Sequence, residues 1–254
     1  MAGSRIDSRT TFPQRGERRL RRHYFVWMAL FGAAIAAIGF VPEYLKFASG
    51  TFPIAWVLNL HSALMVAWLA LFLAQAMLAS TGRLALHEKL GTLGISLGFL
   101  VWASMVFVEF RGKIVYPLDA DFSQEFDFDL RGIYIWSTFL IFFLGAVYQR
   151  RRSPAWHKRF IVFAAFMVLQ PAEMRIAWLP RLSFHFLADM LYLDVCLLVP
   201  LLAYDYASAR RPHPATILAS TVLLGSQGAL LLVWGSPAWR HLAYGFTVAL
   251  RSHF

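Results

Sequence analysis

The chain has 254 residues, 59% of them hydrophobic, and a formal net charge of +10. So large an apolar share leaves no length for a separate soluble domain, and one membrane domain is expected. The basic residues flank apolar runs instead of interleaving with aromatics over a surface, which excludes nucleic acid as a partner; the single cysteine, Cys196, excludes an intramolecular disulfide and thiolate metal clusters.

Seven apolar runs, near residues 24–42, 54–80, 91–109, 132–148, 160–179, 186–204 and 215–236, approach or exceed the required length. A helix needs about 20 residues to cross a hydrocarbon core of ~30 Å. The expected fold is all-α, a polytopic bundle of seven transmembrane helices, with the lipid bilayer as its surroundings and the bacterial cytoplasmic (inner) membrane as its location. With the N-terminus inside, the inner segments collect 16 Lys and Arg and the outer segments 7. The positive-inside rule therefore places the N-terminus in the cytoplasm and the C-terminus outside. The expected organisation is a basic cytoplasmic tail over 1–22, a membrane domain over 23–240 and a short outer tail over 241–254. The tail begins like a secretory signal, but its basic stretch is long and six further runs follow, so the first helix is read as uncleaved.

In chain order, the first span is rich in Ala and Gly and suited to close helix packing. The second repeats polar and aromatic residues at a helical period: His61, Trp68 and Gln75 are seven apart, so they share one face, which is expected to look inward. The third carries Gly91, Gly94 and Gly98 on one side, a smooth stripe for a neighbouring helix or a flat cofactor. The outer loop from Arg111 to Arg131 is acidic but lacks the glycine and ligand spacing of a calcium loop. Tyr134 and Trp136 read as outer interface residues of span four. Span five contains Gln170, Pro171, Glu173 and Arg175, span six Asp189 and Asp194, and span seven a polar patch around Gln227.

Helix rise puts His61 roughly 10 Å inside the outer boundary, and the charges of spans five and six in the same leaflet. A charge at that depth costs ~2.5–3.5 kcal/mol on insertion scales, so charges at matching depth are expected to satisfy one another. Arg175 is expected to pair with Asp194, since Glu173 is only two residues away on the same helix. Gln75, Gln170, Glu173, Arg175, Asp189 and Asp194 are the candidate polar pocket, within reach of His61. Such a pocket would pin helices together or hold an anion, a quinone headgroup or a proton.

The histidines form a second constellation. His87 and His157 stand near the inner face, His61 and His185 near the outer, and neutral imidazoles there could bind haem b or a metal ion. Interfacial histidines without a ligand are the competing reading.

The segments His61 to Trp68, Gln75, Gly82-Arg83 and His87 to Gly91 resemble the first half of a family of uncharacterised bacterial multi-pass membrane proteins. Ala155 to Arg159 and Pro171 to Arg175 are similar to its second half. The resemblance covers spans two to five and implies that His61, Gln75, Arg83, His87, His157 and Arg175 belong together. It brings no activity with it. The chain also resembles, more weakly, the cytochrome b561 class, whose four histidines hold two haems on opposite membrane sides. That likeness implies pairing of His61 with His185 and of His87 with His157.

No nucleophile elbow, HExxH or Schiff-base lysine in the last span is present, so hydrolase and retinal chemistry are not expected. Three functions remain: a membrane redox protein binding haem, metal or quinone; a small-molecule or proton transporter or sensor using the outer pocket; and an assembly or scaffold subunit with a membrane protein partner.

Overall fold

The structure is a computed structural model that describes residues 15–49, 56–115, 123–179 and 186–253. Among them no strand occurs, and the helices are α1 (Arg15–Ala48), α2 (Trp56–Thr81), α3 (Leu84–Val115), α4 (Ser123–Gln149), α5 (Pro154–Met167), α6 (Gln170–Glu173), α7 (Phe186–Ala209), α8 (Pro214–Val233) and α9 (Pro237–Arg251). The all-α class expected from the sequence holds. Five helices, α1, α2, α3, α4 and α8, are long and apolar enough to cross a bilayer.

The run expected to form an unbroken span over 160–179 is instead broken. Pro171 has no N–H to donate to the Met167 carbonyl four residues earlier, and its ring crowds that same carbonyl. α5 accordingly stops at Met167, the chain turns at Val168 and Leu169, and one further turn, α6, carries Gln170 and Glu173. A broken helix is tolerated at membrane depth only where protein surrounds it. That condition is met here, since every residue from 162 to 170 is buried. α5 packs most extensively on α4 and also meets α8, α1 and α2, which makes it the centre of the bundle.

Two tight connections hold the helix ends in place at the end of the bundle that the sequence leads one to expect inside, here the inner end, the opposite end being the outer. Gly82, at φ +79°, closes α2 in a left-handed cap: its N–H donates to Ala79 O at 3.3 Å and that of Arg83 to Leu78 O at 2.9 Å. The Arg22 guanidinium on α1 donates to the Ser80 carbonyl at the same helix end, where the dipole favours a cation. The next hairpin, residues 150–153, is just long enough to set α5 antiparallel to α4.

The glycines of span three serve helix packing. A Cβ on Gly98 would collide with the Phe143 ring, and one on Gly94 would lie 2.9 Å from Leu71 Cδ2. α1 and α6 approach backbone to backbone, and a Cβ on Gly39 would overlap the main chain of Ala172. Backbone cannot move aside as a side-chain tip does. Gly39→Ala is therefore expected to cost ~1–3 kcal/mol through overpacking, read as a lower thermal midpoint in detergent. Gly225→Ala, which meets nothing within 4 Å, should leave that midpoint unchanged.

The inner ends of α5, α7 and α8 are joined by an ion pair that the sequence pattern did not suggest. Arg159 Nε and Nη2 both donate to Asp205 Oδ1, the former at 3.1 Å, and Arg159 Nη1 donates to Ala155 O at 2.7 Å. The other carboxylate oxygen accepts from Thr216 Oγ1 at 2.5 Å and from the His213 N–H at 2.9 Å. His213 caps α8, its Nδ1 accepting from the Ala215 N–H at 3.1 Å, which requires a neutral ring with the proton on Nε2. Burial holds the His213 imidazole below its usual value, reinforced by the Arg159 cation and opposed by Asp205. A lowered folded-state value means that the unfolded chain takes up the proton first, so this contribution is complete above about pH 6.5 and is lost as the pH falls below it. His213→Asn keeps a capping oxygen without the titration. The loss of thermal stability between about pH 7.5 and about pH 5.5 should be smaller in that variant than in the parent.

The outer tail expected over 241–254 is largely helical. Ser236 caps α9 through an acceptor bond from the Trp239 N–H, and Pro237 occupies its first turn. α9 is anchored to the outer end of α4 by Arg240 Nη2 on Asp127 Oδ2 at 2.5 Å and by Trp239 Nε1 on Phe126 O at 2.7 Å. It reaches α3 through Arg251 Nε on Lys113 O at 2.6 Å.

Candidate functional site

Two constellations emerge, one at each end of the bundle. At the inner end, His87 on the first turn of α3 and His157 on the first turn of α5 bring their rings together, with centroids 6.4 Å apart and planes at 86°. Each ring is fixed by a main-chain carbonyl: His87 Nδ1 lies 3.2 Å from Gln75 O on α2, and His157 Nδ1 2.9 Å from Ala146 O near the C-terminus of α4. A carbonyl can only accept, so each Nδ1 bears the proton and donates. In the neutral imidazole the remaining nitrogen, Nε2, then holds the lone pair. Both histidines are thus presented in the tautomer of a metal ligand whose other nitrogen is oriented by a carbonyl.

Gln75 stands beside this pair rather than in the outer pocket where it was expected. Its carbonyl receives His87, and the two polar atoms of its side chain are buried with no partner. The position that a Cβ would take on Gly91, one turn beyond His87, is 3.8 Å from Gln75 Nε2. The reason is position along α2, whose inner end at Thr81 is six residues beyond Gln75. Among the described residues no group of three or more His, Cys, Asp or Glu converges in a metal-binding cluster, so the pair stands as two imidazoles with no third such group beside them.

In the outer half, Asp194 on α7 is the centre. Its Oδ2 accepts from Gln170 Nε2 on α6, from Gln227 Nε2 on α8 at 2.8 Å and from Tyr134 Oη on α4 at 3.2 Å. Gln227 Nε2 also reaches Tyr134 Oη at 3.2 Å. Asp194 is eight residues, about 12 Å of helix rise, from the start of α7, and Gln227 six residues, about 9 Å, from the end of α8. Asp194, Gln170, Gln227 and Glu173 are each 3% exposed or less, so this polar cage is inside the protein.

The expected ion pair between Arg175 and Asp194 is not formed. The break at Pro171 turns the chain outward after α6, leaving Arg175 exposed, with Nη1 donating to Pro171 O at 2.6 Å and the guanidinium 4.9 Å from the Phe40 ring centre. Neutral donors take its place around the carboxylate. His61 is also apart from the cage. Ser104 Oγ donates to Val101 O at 2.7 Å, so it accepts from His61 Nδ1 at 3.0 Å, which ties α2 to α3. His185 and the side chain of Asp189 lie outside the described residues, as does the proposed pairing of His61 with His185.

Of the residues that the family resemblance groups together, His87, His157 and Gln75 meet; His61 and Arg175 stand elsewhere. Tyr134 and Gln227 were not assigned to the polar pocket from sequence. The signal for Gln227 was present, a lone amide inside an apolar run at the depth of Asp194. Tyr134 was read as an interface aromatic, and nothing in its local sequence distinguishes the two roles. Comparison with known protein families, curated proteins and solved structures returns no match.

Proposed function

We propose that the chain is a membrane redox protein in which His87 and His157 ligate haem iron or a metal ion at the inner end of the bundle. The observation that supports this reading is the juxtaposition of the two rings with both Nδ1–H groups committed to main-chain carbonyls. With ring centres 6.4 Å apart, His87 and His157 are near enough that together they could hold one metal, which would supply the redox chemistry. A two-histidine set with no third ionisable ligand fits iron in a macrocycle, which itself supplies the other donors, better than a bare ion. What the residues of this chain do is orient the ligands, hold their protons on Nδ1 and present the unpartnered Gln75 amide at the edge of the site.

The reading goes with seven spans in a bacterial cytoplasmic membrane, N-terminus inside. α5 with α6 and α7 would be the two crossings beyond the five that length and hydropathy identify, and the 16-to-7 distribution of basic residues supports the orientation. Under it His87, His157 and the Arg159–Asp205 clamp share the cytoplasmic side. The resemblances to the uncharacterised bacterial family and to the cytochrome b561 class are consistent with this pairing.

The test is the metal content of detergent-purified protein, by mass spectrometry, from cells supplied with iron and a haem precursor. About one metal per chain is expected in the parent and in His61→Ala, falling by about tenfold or more in His87→Ala. A metal-free parent protein, or equal loading in His87→Ala, would overturn the reading.

A further inference from the structure

The Asp194 cage is a separate site, on the opposite half of the bundle from the histidines. We propose that Asp194 is a proton-binding site, its carboxyl group taking up and releasing one proton in the outer half of the membrane domain.

The argument begins with what the cage leaves unsatisfied. All three donors converge on Oδ2, while Asp194 Oδ1 and Gln170 Oε1 are both buried acceptors without a partner. Two orphaned acceptors on residues already joined through Gln170 Nε2 and Asp194 Oδ2, one of them on a carboxylate, call for a donor or a cation. The charged groups facing Asp194 do not supply one. Tyr134 and Gln227 are neutral donors, Glu173 on α6 is another carboxyl, and no Lys or Arg among the described residues forms an ion pair with Asp194; Arg131, further out on α4, acts on it only through space. From α5 the side is apolar, Phe163 and Met167 with Leu198 of α7 lining a cavity of about 10 Å³ that Asp194 also borders. That volume holds about one water.

A proton is the occupant that these features favour. A sodium ion needs a shell of several oxygens, and the lining of this cavity is apolar apart from Asp194. A proton on Oδ1 removes the buried charge and converts an orphan acceptor into a donor, free to serve a neighbouring acceptor or one water in the cavity that Asp194 borders. The step is a simple association: one proton from the outer aqueous phase is added to the carboxylate, and no other bond is made or broken.

Infrared difference spectroscopy of the full chain in detergent reads this directly. Stepping the pH from acid to alkaline is expected to bleach a carboxylic acid C=O stretching band, present in the parent and in Glu173→Gln and absent in Asp194→Asn. Parent protein labelled with carboxyl-¹³C aspartate keeps the test independent of whether the variant folds, since the band must shift to lower frequency if an aspartate is its source. A titrating band that shifts with the label, persists in Glu173→Gln and is missing from Asp194→Asn supports the site. The absence of any label-sensitive titrating band overturns it. Bleaching of the band by sodium at fixed pH, with choline inert, overturns the proton assignment in favour of a sodium site.

Discussion

Asp205→Ala is expected to be among the most destabilising single substitutions in the chain, at ~3–5 kcal/mol. Breaking one side of a buried ion pair costs this much because the abandoned charge stays buried. The Arg159 and Asp205 side chains are 5% and 0% exposed, so neither has recourse to water. Alanine removes four hydrogen bonds at once, two from the Arg159 guanidinium and one each from the Thr216 hydroxyl and the His213 N–H that precedes α8. For a chain of this size such a loss lowers the melting midpoint by roughly 10 °C, measurable by intrinsic tryptophan fluorescence in detergent. Replacing both partners, Arg159→Met with Asp205→Leu, should recover part of the stability, because no unpaired charge remains. Recovery stays incomplete, since Thr216 and the His213 N–H keep no acceptor. Equal midpoints for parent and Asp205→Ala would show that the clamp does not hold the inner ends together.

His157→Asn is expected to abolish cofactor binding while leaving the fold standing. The imidazole has two duties, an N–H given to Ala146 O at the end of α4 and a lone pair on Nε2. An asparagine amide can donate to the same carbonyl but offers no imidazole nitrogen to a metal. The predicted outcome is a loss of bound metal or haem of about tenfold or more with the melting midpoint of the metal-free protein unchanged within a few degrees. His157→Ala removes both duties and should lower that midpoint as well. If His157→Asn binds as much cofactor as the parent, the ring serves only to cap α4.

The fold was legible in the sequence where it depended on composition and period. Apolar run length located the five helices that are long and apolar enough to cross a bilayer, and the glycine stripe of span three was correctly expected to admit close neighbours, Leu71 and Phe143. It was less legible where one residue overrode the pattern. Pro171 lies in an apolar run that hydropathy treats as continuous, yet its missing N–H ends α5 at Met167. That break in turn reverses the expected partnership of Asp194, because it directs Arg175 out of the bundle and leaves Gln170 facing in. α9 was missed for a different reason: its amphipathic pattern is too short for a span, although Ser236-Pro237 announces a helix start.

The histidine pair was legible in part, since His87 and His157 both follow basic loops that the sequence assigns to one and the same side. Their ring separation and their carbonyl partners depend on how α2, α3, α4 and α5 pack, which no local pattern encodes. Partners 46 positions apart, as in the Arg159–Asp205 pair, are invisible for the same reason. A basic residue beside a span reads as a topology signal, and only the packed bundle makes it a buried cation.

The central claim, that His87 and His157 are ligands to a redox metal, is tested most directly by the absorption spectrum of the purified full chain, oxidised and then reduced with dithionite. The account predicts a Soret band that shifts and sharpens on reduction and is lost in His157→Asn. A featureless spectrum from protein that is folded and produced in haem-replete cells would contradict it.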